Sequence, residues 1–162
     1  ALEGARLVAV LTQAQDPGNA GTIIRAADAA GADAVVLVRG SVDPTAPKVV
    51  RSTAGSLFHL PVVTGVALDD AVTALHNAGL TVLAADGRGD FDLFEAESLL
   101  EAPSAWLLGN EAHGLPSEAL SRADAVVSIP IYGKAESLNV AAAAAVCLYA
   151  SARAQAQNSG RS

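Results

Sequence analysis

The chain has 162 residues, enough for one domain with a real hydrophobic core. Half of it is hydrophobic (51%), but with one Trp, two Tyr and three Phe that core must rest on Ala, Val, Leu and Ile. The single cysteine excludes an internal disulfide and a multi-cysteine zinc site, and a net charge of −7 opposes polyanion binding unless cations gather locally.

The first residues, Ala1 to Thr12, contain the acidic Glu3 and no extended apolar region, so no signal peptide is read there. The chain begins with Ala1 and contains no methionine, from which we expect an excised domain or a processed chain. Leu7–Leu11 is an apolar run that predicts a strand, ended by a polar turn around Asp16-Pro17-Gly18. A helix follows from about Ala20 to Ala30, stopped by Gly31. Ala34–Val38 is the next strand. Pro47 to Thr53 reads as a short helix with proline in its first turn, and Phe58–Val63 as an irregular or strand segment.

Leu68 to Asn77 has helical spacing and again ends at a glycine, Gly79. Strands follow at Leu80–Ala85, Ala105–Leu108 and Ala125–Ile129, the last two separated by a loop and a short helix near Ser117–Ser121. A long helix from about Leu138 to Gln155 closes the domain, taken as residues 1–156, and a disordered tail is expected over 157–162. Cys147 lies in the apolar run Val140–Tyr149 and reads as an inert buried thiol. Val140–Ala150 is too short and too rich in alanine to span a membrane. No membrane and a cytoplasmic location are expected. Strands alternating with helices, the strands continuously apolar, predict an α/β fold with a mainly parallel sheet covered on both faces.

Ligands of such sheets bind in the loops after the carboxyl ends of strands, and three of these loops are dense in Gly, Asn, Glu and Ser. The first is Asp16-Pro-Gly-Asn-Ala-Gly-Thr-Ile-Ile-Arg25. Asn19 fits a helix N-cap and Arg25 a later turn, six residues on. On spacing alone, a capped surface helix with one solvated arginine is the better explanation, because helix caps are common. The second, Trp106-Leu-Leu-Gly-Asn-Glu-Ala-His-Gly-Leu-Pro116, runs from a strand into Gly109, where a ligand can approach the backbone. His113 by itself says little, and without a second ligand at suitable spacing a metal site is rejected. The third is Ile129-Pro-Ile-Tyr-Gly-Lys-Ala-Glu-Ser-Leu-Asn139-Val, where Ser137 and Asn139 open the last helix and Ser137 reads as its N-cap. Ala85-Asp86-Gly87-Arg88-Gly89 follows a strand but lacks the glycine fingerprint of dinucleotide-binding proteins. A phosphate loop and a serine-hydrolase elbow are missing as well.

Together the three clusters resemble, in order, the signature motifs of the SpoU (TrmH-like) branch of the SPOUT methyltransferases. The first matches at Asn19, Gly21, Arg25 and Ala26, and the second at Gly109, Asn110, Glu111 and Gly114. The third matches at Ile129, Pro130, Gly133, Ser137, Leu138 and Asn139, so the resemblance covers Leu7 to Tyr149. It implies a Rossmann-like domain whose C-terminal part forms a trefoil knot, and a homodimer with active sites at the subunit interface. It also implies S-adenosyl-L-methionine as cofactor and an RNA ribose 2′-hydroxyl, in ribosomal or transfer RNA, as the group methylated.

By motif position the cofactor pocket takes in Ala85, Asp86, Gly87, Leu108, Gly109, Asn110, Ile129, Ile131, Ser137, Leu138 and Asn139. The catalytic positions are Arg25, Asn19, Glu111, Ser137 and Asn139. The family assigns activation of the hydroxyl, direct or phosphate-assisted, to the arginine. Because a guanidinium is a very weak base, we favour phosphate binding and hydroxyl orientation, with Glu111 orienting Arg25. Arg51-Ser-Thr-Ala-Gly-Ser56 resembles a further stretch of the family before the position of Pro61, and lines the RNA site or simply ends a helix.

Many relatives carry an N-terminal RNA-binding domain or basic extensions, and neither is present in this sequence. The expectation is that the cations gripping RNA lie on such a portion, and that these residues bind cofactor and dimerise but methylate RNA poorly. Two other readings remain open. A base-directed SPOUT methyltransferase would be separated by mapping the modified nucleotide. A non-catalytic RNA-binding or dimerisation module would be separated by its lack of cofactor affinity.

Overall fold

Seven strands form the sheet: β1 (Leu7–Leu11), β2 (Ala34–Val38), β3 (Val62–Val66), β4 (Thr81–Ala85), β5 (Phe91–Asp92), β6 (Ser104–Leu108) and β7 (Ala125–Ser128). Among the described residues five helices accompany them: α1 (Pro17–Ala29), α2 (Leu68–Asn77), α3 (Glu97–Glu101), α4 (Ser117–Arg122) and α5 (Val140–Ser159). The structure, a computed structural model, describes residues 2–12, 17–39, 59–109, 115–134 and 138–159. The expected Pro47–Thr53 helix and the Arg51–Ser56 stretch lie outside the described residues.

Strand order is β3-β2-β1-β6-β4-β7-β5, and every pairing is parallel. All carboxyl ends therefore lie on one edge. From β1 the chain moves outward through β2 to β3, then crosses back to place β4 on the other side, and β6 later fills the gap between β1 and β4. That reversal is the switch point at which open parallel sheets leave a crevice for ligands.

The burial explains the continuous apolar strands. Leu7, Ala9 and Leu11 of β1 pack in one core with Ile23 and Ile24 of α1 and Cys147 and Leu148 of α5. The alternate residues Val8 and Val10 pack in the other core with Ala71, Val72 and Leu75 of α2 and Ala119 of α4. Strand side chains alternate between faces, so a strand covered on both faces must be apolar at every position. Trp106 is fully buried in β6, and its indole N–H donates to the Ser151 hydroxyl on α5 at 2.8 Å. That bond spares the interior an unpaired donor costing about 1–3 kcal/mol. Burial pushes the Cys147 thiol up to about 12, which leaves it inert as expected. Among the described residues no helix is long and apolar enough to cross a membrane.

Both glycine stops hold. Gly31 has φ +81, and the N–H groups of Gly31 and Ala32 return to the carbonyls of Asp28 and Ala27. This paired closure of a helix end needs a left-handed residue. α2 ends the same way at Gly79, with Leu80 N–H returning to Leu75.

Several elements differ from expectation. α1 starts at Pro17, so Pro17 and Gly18 are helical and Asn19 is its third residue, not its cap. Proline suits a first helical turn, where its missing N–H costs nothing. β3 lies at Val62–Val66, later than the Phe58–Val63 segment. It continues through Thr64-Gly65 because Gly65, at φ +74, bulges out while Val38 pairs with Val66. α5 runs to Ser159, so residues 157–159 are helical and do not begin a disordered tail. Finally, β5, the 3-10 turn Leu93–Glu95 and α3 were not anticipated. Their local signal is Asp92, whose carboxylate caps the turn by accepting from Phe94 N–H at 2.8 Å.

Candidate functional site

Three of the expected site segments meet on the carboxyl edge, because β6, β4 and β7 are adjacent. Ala85 ends β4 and leads into Asp86 and Gly87, Leu108 ends β6 and leads into the buried Gly109, and Ile129 follows β7. Neighbouring strands sit about 4.8 Å apart, so the three strand ends span about 10 Å. Asn110, Glu111 and Ser137 lie outside the described residues, as do His113 and Gly114.

The end of β6 is tied to β1 through Thr12, which is buried. Its backbone N–H and its hydroxyl both donate to the Leu108 carbonyl, each at 2.9 Å. That carbonyl is thereby committed and is removed from the groups a cofactor can use. The turn after β4 is fixed as firmly. Asp86 N–H donates to the Val127 carbonyl at 3.1 Å, and Gly89 N–H closes the turn on the Asp86 carbonyl at 3.0 Å. A Cβ at Gly89 would lie 2.6 Å from the Val126 carbonyl oxygen, so only glycine lets the turn press on β7.

The Asp86 carboxylate accepts two guanidinium N–H bonds from Arg88, both at 2.8 Å, and the Arg88 backbone N–H at 2.9 Å. The side-chain bonds from Arg88 hold its pKa below the ordinary 3.8; partial burial opposes them, and the N–H groups of Arg88 and Leu115 add to them. Asp86 therefore reaches the edge as a paired carboxylate rather than an open ligand.

Asn139 corrects the expected cap. Its side-chain oxygen accepts the N–H groups of Ala141 at 2.8 Å and Ala142 at 3.3 Å, so it is Asn139 that caps α5. The cap uses the acceptor half of the amide and leaves donors to offer a ligand. Between β7 and that cap the chain exposes Ile131, Leu138 and, at 85%, Tyr132. Apolar groups left in water at a polar edge are the lining expected of a binding surface.

The first motif is spread along α1. Asn19 is half-buried in the first turn of α1, whereas Arg25 is exposed. Six helical positions separate them by about 9 Å along the axis and turn them about 120° apart. Arg25 lies about 12 Å from the first residue of α1, and among the described residues it forms no ion pair. Thr12, Arg88, Gly89 and Leu115 were missed by sequence reasoning. The Asp86–Arg88 pair left a signal, two opposite charges two apart in one glycine turn; the bonds to residues 12 and 115 span the fold and left none.

The model of the SpoU rRNA Methylase family matches residues 6–149, most of the chain. The chain belongs to that family. This SpoU chain is 42% identical over 151 residues to the 23S rRNA (guanosine(2553)-2′-O)-methyltransferase RlmP of Bacillus subtilis, covering 91% of itself and 58% of that protein. It spans about half the length of several such relatives. Its fold matches the SpoU methyltransferase AviRb of Streptomyces viridochromogenes in complex with AdoMet, with TM-score 0.84, 37% identity, and 93% and 60% of the two chains covered. A structure described for 2-OH methylation of C/U34 on tRNA matches with TM-score 0.82 and 32% identity, over 94% of this chain and 97% of that one. In this SpoU domain, among the described residues, no three His, Cys, Asp or Glu side chains gather as a metal-binding group.

Proposed function

We propose that residues 1–156 form the catalytic domain of an S-adenosylmethionine-dependent methyltransferase acting on a ribose 2′-hydroxyl in ribosomal or transfer RNA. The observation that carries this reading is the meeting of Ala85–Gly87, Gly109 and Ile129 on one edge of a SpoU-family sheet. Relatives named for 23S rRNA and tRNA 2′-O-methylation support the substrate class.

The residues present fit the cofactor. Exposed Ile131 and Leu138 offer apolar surface to an adenine, and the Asn139 amide and the Gly109 peptide offer polar contacts beside it. The pocket takes in Ala85, Asp86, Gly87, Leu108, Gly109, Ile129, Ile131, Leu138 and Asn139, with Asn110 and Ser137 added by motif. Bound there, S-adenosylmethionine supplies an electrophilic sulfonium methyl group. Arg25 binds a phosphate beside the target nucleotide and orients its 2′-hydroxyl, since a guanidinium is too weak a base to hold the proton. Glu111 orients Arg25, and Asn19, Ser137 and Asn139 complete the site. Alignment supplies most of the acceleration, as methyl transfer needs an in-line approach more than acid-base power.

The protein works in the cytoplasm as a homodimer, with its C-terminal part tied in a trefoil knot. The dimer is supported by Arg25, which is exposed and, among the described residues, forms no ion pair within its own chain.

Calorimetric titration with S-adenosylmethionine and S-adenosylhomocysteine tests the reading, followed by mapping of the methylated nucleotide. Saturable binding that is lost on altering Asn139, with methyl found on ribose, is the expected result. No binding by the folded dimer removes the enzymatic reading; methyl on a base redirects it.

A further inference from the structure

Arg88 belongs to none of the three motifs, yet it joins two of the loops that form the candidate cofactor site. Its guanidinium binds Asp86 through Nε and Nη2, both at 2.8 Å, and the same Nη2 donates to the Leu115 carbonyl at 3.0 Å. The Leu115 N–H also helps to lower the Asp86 pKa, so both backbone groups of Leu115 are turned toward one ion pair. Leu115 is itself buried, at 2% exposure, in the core with Val82, Ala84 and Ala119. It is the first described residue after the loop that leaves β6 at Gly109. Thr12 holds Leu108 at the end of β6, and the Asp86–Arg88 pair holds Leu115. The turn that carries the pair is pressed on β7 at Gly89 and bonded to Val127.

We propose that Arg88 is a positioning residue: by bonding both Asp86 and the Leu115 backbone it locks the turn after β4, with Ala85, Asp86 and Gly87, against the chain entering α4, and so shapes the cofactor site without touching the cofactor. This rests on the functional reading above, and it gives Asp86 a structural partner where motif position alone makes it a cofactor contact. The fork matters as well as the charge. A lysine keeps the cation but cannot bond Asp86 in bidentate fashion while also reaching a carbonyl.

The test compares wild type with Arg88→Ala, Arg88→Lys and a control, Arg122→Ala. The control removes another surface pair, Arg122 Nε to Asp69 at 2.7 Å, carried on α4 and α2. Hydrogen exchange of the Leu115 amide reads the anchor with no cofactor present, and titration with S-adenosylhomocysteine reads the consequence. Arg88→Ala is expected to speed Leu115 exchange and weaken S-adenosylhomocysteine binding by about tenfold each, with Arg88→Lys between it and wild type. Arg122→Ala leaves both within about twofold.

Unchanged Leu115 exchange in Arg88→Ala overturns the proposal, and so does faster exchange with unchanged affinity. Asp86→Asn distinguishes the two roles of that carboxylate. Losses that do not add to those of Arg88→Ala support positioning, and additive losses make Asp86 a direct ligand and overturn it. A wild-type chain that binds no S-adenosylhomocysteine refutes the functional reading itself, whatever the exchange rates.

Discussion

The two edges of the sheet end their strands by opposite means. On the amino edge, polar side chains reach into the backbone and close it. Asp33 accepts the N–H groups of Arg6 at 2.7 Å and Leu7 at 3.2 Å, and Gln155 donates to the carbonyls of Arg6 and Ala102. Asp124 accepts Val82 N–H at 2.7 Å and pairs with His76. On the carboxyl edge, Thr12, Asp86 with Arg88, and Asn139 fix only the roots of the loops, while Ile131, Tyr132 and Leu138 remain exposed. A parallel sheet puts all of its strand starts on one edge and all of its strand ends on the other. One edge can then serve stability alone while the other keeps groups free for a ligand.

Breaking the carboxyl edge should cost function before stability. Arg25→Ala, at an exposed position, is expected to slow RNA methylation by about 100-fold, about 2.7 kcal/mol in the barrier. Its thermal midpoint should stay within about 1 °C of wild type by calorimetry, as for surface substitutions generally. A large drop in that midpoint would mean that Arg25 holds the fold.

Breaking the amino edge should do the reverse. Gln155→Ala removes two hydrogen bonds, to the Arg6 and Ala102 carbonyls, which keep the Ser104 N–H and hydroxyl as donors, and should lower urea stability by about 2 kcal/mol, leaving S-adenosylhomocysteine affinity within about twofold. Gly89→Ala sits between the two cases. Its Cβ meets the β7 backbone at 2.6 Å, so overpacking of about 1–3 kcal/mol should accompany weaker cofactor binding, both read on one purified variant.

Acid sharpens the contrast with the smallest effects. Asp86 and Asp124, one on each edge, both titrate below the ordinary 3.8. For Asp124, burial acts upward but is outweighed by the Val82 N–H and His76. A folded-state pKa below the unfolded value means that the unfolded chain binds the proton first. The stability from each is thus complete above pH 3.8 and is lost as pH falls through the lower folded value. Urea midpoints measured from pH 6 to 3 should show Asp86→Asn and Asp124→Asn each removing part of that acid-side decline. At neutral pH only Asp86→Asn should alter cofactor affinity, and an equal change from Asp124→Asn would erase the functional difference between the edges.

Much of this was legible along the chain. Five of the seven strands were recognisable as apolar runs, and Gly31 and Gly79 marked two helix ends, because apolar burial and left-handed caps are local demands on residue type. β5 was missed because two residues carry no period, and β3 was displaced because Thr64-Gly65 reads as a turn until Val38 supplies a partner. Within the site, the motif segments and their places after strands were visible. The capping role of Asn139 and the commitment of the Leu108 carbonyl were not.

The sequence by itself determined an α/β domain, two covered sheet faces and three loops of unusual chemistry, since each is a matter of which residues follow one another. Only the tertiary structure decided the strand order, which brings β6 between β1 and β4, and hence which loops are neighbours. It alone paired Arg88 with Leu115 and Thr12 with Leu108. Hydrogen bonds across 27 or 96 residues are chosen by how strands pack, and no local pattern of residues encodes that choice.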